Sequence, residues 1–156
     1  MRTPRIMFLL FSITVILIFQ SCGKEGGNRT NISQAGGHSH NASRNCMNCH
    51  VSGGEGAGWF NAAGTVYSST DSATTYTNAV VQLYSQPDSL GNQVLVATIN
   101  GDGSGNFYTT ASINYGTAGL YPVVVGAQSS RYMPTATTNG ACNSCHGVTT
   151  ARIVVH

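Results

Sequence analysis

The chain has 156 residues and a formal net charge of +2, with seven Lys/Arg against five Asp/Glu. Charged residues make up 8% of it, against roughly 25% in ordinary domains. No basic stripe is present, so a nucleic acid is not expected as a partner, and no Ser/His/Asp set or carboxylate pair suggests hydrolytic chemistry.

In chain order, Met1-Arg2-Thr3-Pro4-Arg5 is a short basic start. Ile6 to Phe19 follows, apolar except for Ser12 and Thr14. That is a signal-peptide core, too short for a membrane span. Phe19-Gln20-Ser21-Cys22 resembles a bacterial lipoprotein signal, with 1–21 removed and Cys22 lipidated. The competing reading is an ordinary secretory signal with Cys22 left free. Gly23, rather than Asp, follows the lipid site, which resembles lipoproteins sent to the outer membrane. Removing Arg2 and Arg5 leaves a mature chain with balanced charge.

Residues 22–45 are rich in Gly, Asn, Ser and Thr and lack a hydrophobic period, so they read as a flexible tether. His38 and His40 lie near its end. Next comes Cys46-Met47-Asn48-Cys49-His50, and far downstream Cys142-Asn143-Ser144-Cys145-His146. Both read C-x-x-C-H, the attachment pattern of c-type haem. Two thiols three positions apart reach the two vinyl groups on one porphyrin edge, and the following His ligates the iron. The competing reading is a four-Cys zinc ribbon, whose halves usually lie about 15–20 residues apart. Here Cys49 and Cys142 are much farther apart, and zinc would have no need of both His residues. Two covalent haems are therefore expected. The five cysteines divide into one for lipid and four for haem, with none left for a disulfide.

The first haem segment is placed at 46–58, a β-sandwich at 59–132 and the second haem segment at 133–156. Ala63 to Tyr67 is short and β-prone. Ala79 to Ser85 alternates, with Val81 and Leu83 on one face. Val94 to Ile99 is a β-branched run. Asn100 to Gly105 reads as a hairpin turn, faintly like a calcium loop but with Ala111 where the bidentate carboxylate belongs. Asn106 to Thr110 and Tyr121 to Val125 read as strands, and Ala111 to Leu120 as room for one more. No stretch keeps a helical period, so an all-β antiparallel Greek-key sandwich is expected, with the haem segments irregular or in short helices.

Gly64-Thr65-Val66-Tyr67, Asn78-Ala79-Val80-Val81-Gln82-Leu83-Tyr84 and Gly103-Ser104-Gly105-Asn106-Phe107-Tyr108 together resemble the carboxypeptidase regulatory-like, transthyretin-like sandwich. The resemblance covers about 64–126 and implies an accessory or binding fold without catalytic residues. With C-x-x-C-H at both ends, the whole resembles small sandwich-bearing cytochromes of bacterial extracellular electron transfer. Gly140 to Gly147 matches a C-terminal pattern of that group.

His50 and His146 are the proximal ligands by position. Either His or Met as sixth ligand favours electron transfer, whereas an open position allows gas or peroxide chemistry. His40 is expected at the first iron, with His38 as its substitute, and His156 at the second, with Met133 as the competitor. Met47 lies inside its own motif and cannot reach the opposite haem face. The leading expectation is a lipid-anchored diheme carrier at the outer membrane that serves other redox proteins or an external acceptor. The competitors are a haem enzyme or sensor, and a surface-binding module of a larger redox complex. An odd number of strands between the motifs would put the haems at opposite poles and favour head-to-tail self-assembly. An even number would bring them together.

Overall fold

The computed structural model describes residues 39–70 and 73–156. The expected signal peptide, Cys22, most of the tether and His38 lie outside the described residues. Eight strands run through the described residues: β1 (Ala62–Tyr67), β2 (Val80–Tyr84), β3 (Leu95–Asn100), β4 (Asn106–Thr109), β5 (Tyr121–Val125), β6 (Ser130–Tyr132), β7 (Gly140–Ala141) and β8 (Ile153–Val154). One four-stranded sheet has the order β3-β2-β5-β6. The other is built around β1, with β4 on one edge and β7 followed by β8 on the other. The fold is all-β, as the short strands and Gly-rich turns imply.

β2 alternates half-buried and buried residues, and Val81 and Leu83 turn inward as their period requires. They meet Ile99 of β3, Val124 of β5, Val66 of β1 and Phe107 of β4 in one core shared by both sheets. Phe107, Ile99, Val66 and Val155 are the largest fully buried apolar side chains of the described residues. Each such burial is worth about 1.5–3 kcal/mol.

Two expectations need correction. The β1 sheet is mixed, because β7 and β8 both run parallel to β1. They arrive through loops at 133–139 and 142–152, not through tight hairpins, and a returning loop permits parallel pairing. The stretch 111–120 forms no strand. Gly116 and Gly119 take left-handed φ values of 59° and 78°, and the Asn114 side chain accepts from the Gly116 N–H, so the backbone turns here instead of extending.

β1 is buried at every position. Its even-numbered residues face the core. Thr65 and its odd-numbered neighbours are buried on the other side, and the segments carrying the two C-x-x-C-H motifs both pack against this strand. β1 is therefore the strand on which both motifs are mounted.

Candidate functional site

The two motifs fold alike. Cys46–Asn48 and Cys142–Ser144 each form a single 3-10 turn. The carbonyl of the first cysteine accepts from the second cysteine's N–H and from the histidine's N–H. The latter bond is 3.0 Å in both motifs. Asn45 caps the first turn by accepting from the Met47 N–H at 3.2 Å.

Each histidine is then oriented by a backbone carbonyl farther along the chain. His50 Nδ1 lies 2.9 Å from the Ala57 carbonyl oxygen, and His146 Nδ1 lies 2.7 Å from that of Ala151. A carbonyl can only accept, so Nδ1 carries the proton and Nε2 keeps the lone pair that can bind a metal. The His50 ring stacks on Phe60 at 4.0 Å and Phe60 on Tyr108 at 4.4 Å. On the ring's other side stands Gly56, where a Cβ would lie 2.6 Å from His50 Nδ1. Only glycine leaves the imidazole in this place. His40 comes to the same spot, with ring centroids 6.2 Å apart and planes tilted by 36°.

The second motif opens on a cavity of about 610 Å³, within the usual range for a bound organic group. Cys142, Cys145 and His146 line it, together with both residues weighed as sixth ligands, Met133 and His156. His156 is exposed, but its backbone is tied down. Its carbonyl accepts from the Gln128 and Ser129 N–H groups at 2.8 Å each.

None of the four motif cysteines is joined in a disulfide. Burial pushes the Cys142 thiol up to about 12, with Cys46 and Cys145 nearby adding to the effect. Burial raises the Cys46 thiol as well. Among the described residues, no three His, Cys, Asp or Glu side chains are grouped to hold a metal ion.

The sequence reading missed the buried polar group that joins the motifs. Thr65 Oγ1 accepts from the Ser43 N–H at 2.9 Å and from Asn143 Nδ2 at 3.0 Å, and donates to Asn106 Oδ1 at 2.6 Å. Asn143 Oδ1 accepts from the Thr65 N–H at 3.1 Å, and Asn143 Nδ2 also donates to the Arg44 carbonyl at 2.9 Å. Asn143 stands between the two cysteines of the second motif, and Arg44 is two residues before the first. The motifs are side by side.

Of the two arrangements left open, opposite poles or one end, the motifs take the adjacent one. Seven strands do precede the second motif, but β7 is only two residues long. It pairs with Ala62 and Ala63, at the start of β1, and the chain leaves the sheet there without crossing the sandwich. Asn143 then bonds to the Thr65 N–H in the gap before β8 takes up the pairing at Val66 and Tyr67. Gly140 makes this approach feasible, since a Cβ there would overlap the Asn61 carbonyl and the Ala62 backbone. With the motifs adjacent, head-to-tail stacking loses the reason given for it.

No protein-family model matches this chain, and neither a curated protein nor a solved structure matches it.

Proposed function

We propose that this protein is a lipid-anchored diheme c-type cytochrome that carries electrons in a bacterial cell envelope, on its outer membrane. The observation that carries this reading is the matched pair of turns, each ending in a histidine whose Nδ1 is held by a carbonyl and whose Nε2 is left to ligate. His40 stands close to His50, with ring centroids 6.2 Å apart, so the two imidazoles could hold one group between them. Haem would supply reversible one-electron chemistry at iron.

Cys46 and Cys49 would hold the first group and Cys142 and Cys145 the second. His50 and His146 would be the proximal ligands, and His40 and His156 the distal ones. Arg131 and Arg152 line the second cavity and bring positive charge to it, suited to carboxylate substituents. Because Asn143 and Arg44 hold the two motifs together, electrons would pass between the sites within one subunit. We read the sandwich as carboxypeptidase regulatory-like. The segments that bear the resemblance fall on β1, on β2 and on the turn into β4.

The holoprotein should be six-coordinate and low-spin at both irons and should bind carbon monoxide poorly. His40→Ala and His156→Ala should each make one haem high-spin. A wild-type protein with one open iron that binds carbon monoxide readily would favour the enzyme or sensor reading instead. If Met133→Ala acts where His156→Ala does not, the second distal ligand is Met133. The anchor is checked separately. Cys22→Ser should release the protein from membranes, and an unmodified Cys22 in a soluble wild type would contradict the lipoprotein reading.

A further inference from the structure

We propose that Asp102 and Asn106 are positioning residues for His40, acting through Ser39. This rests on the assignment of His40 as the distal ligand of the first haem.

Asp102 is 2% exposed and Asn106 3% exposed. One carboxylate oxygen, Oδ1, accepts from the Ser104 N–H at 2.9 Å and from the Asn106 N–H at 3.0 Å. Those two bonds build the turn between β3 and β4, and turn-forming aspartates commonly do no more. Here the second oxygen, Oδ2, accepts from the Ser39 hydroxyl. The same hydroxyl accepts from Asn106 Nδ2 at 3.0 Å. Ser39 is thus gripped by one buried acceptor and one buried donor, and one of these bonds is to a carboxylate, the stronger class. A buried carboxylate is a costly way to make a turn. Its second oxygen is used on the residue next to His40.

The backbone from here to the motif carries a second sign of constraint. Asn41 and Ser43 are non-glycine residues with left-handed φ values of 54° and 69°. Such conformations persist only where the surroundings hold them, and they gather at functional sites. The surroundings are identifiable: Ser39 is held by Asp102 and Asn106, and Ser43 N–H by Thr65 Oγ1. His40 lies between these two pins, itself exposed and facing the His50 ring at 6.2 Å. The pins fix where its imidazole can be, so that little ordering is left for the moment of ligation.

The test uses the full-length holoprotein with Ser39→Ala, Asp102→Asn, Ser39→Thr and His40→Ala. Ser39→Ala leaves the β3–β4 turn intact and removes the grip. Asp102→Asn can keep the turn through its remaining oxygen but offers Ser39 a donor in place of an acceptor. Carbon monoxide binds the ferrous first haem only when His40 is off, so its apparent affinity reports the fraction unligated. Loss of a charged hydrogen bond should raise that affinity about tenfold in Ser39→Ala and Asp102→Asn, with covalent haem content unchanged. Ser39→Thr, which keeps the hydroxyl, should restore the wild-type value. If His40→Ala opens the iron but Ser39→Ala and Asp102→Asn bind carbon monoxide as the wild type does, the positioning role is overturned and the ligand assignment stands. If His40→Ala itself leaves the spectrum unchanged, the ligand assignment fails and the positioning role fails with it.

Discussion

Replacing Cys46 and Cys49 together by Ala should leave one covalent haem per chain, and so should replacing Cys142 and Cys145. The two variants should differ in stability. Cys142 packs against the main core, beside Phe107 and Gly64, and its motif opens on the cavity of about 610 Å³. An unfilled apolar space of that kind forfeits the contacts of its lining. No residue of the first motif belongs to the core cluster. Loss of the second haem should therefore lower the thermal midpoint more than loss of the first. Haem content per chain and a melting curve check both statements. Equal destabilisation would mean that the second cavity does not depend on its occupant.

Thr65→Val should destabilise the protein by about 3 kcal/mol, although the two side chains have nearly the same shape. The hydroxyl makes three bonds, to the Ser43 N–H, to Asn143 Nδ2 and to Asn106 Oδ1. Valine leaves all three groups facing a methyl, and each buried polar group without a partner costs about 1–3 kcal/mol. Asn143 keeps its bond to the Arg44 carbonyl, so the penalties fall short of a full sum. Thr65→Ser retains the hydroxyl and should cost much less. Denaturant midpoints of the two holoproteins measure the difference. A valine variant as stable as the wild type would remove Thr65 as the joint between the motifs.

The motifs were more legible in the sequence than their placement. C-x-x-C-H stands out by its repeated spacing, and the alternation of β2 declares itself because one face is buried. The turn at 100–105 was readable from its glycines, but the inward direction of the Asp102 carboxylate was not. The same turn residues serve whether the carboxylate faces solvent or another segment. β7 and β8 were invisible for a different reason: two residues carry no period. Their position follows from tertiary packing around Gly140. Asn143 was passed over because the middle positions of C-x-x-C-H tolerate many residues. Its role appears only once Thr65 and Arg44 are brought beside it. The adjacency of the motifs depends on all three of these, which is why counting strands could not supply it.

The measurement that tests the central claim most directly is acid acetone extraction of the denatured protein, made with the haem-attachment machinery, followed by a pyridine haemochrome assay. Thioether bonds through Cys46, Cys49, Cys142 and Cys145 should keep both haems on the polypeptide, giving two per chain. A protein that gives up all its haem to the solvent, or never acquires any, would contradict the account.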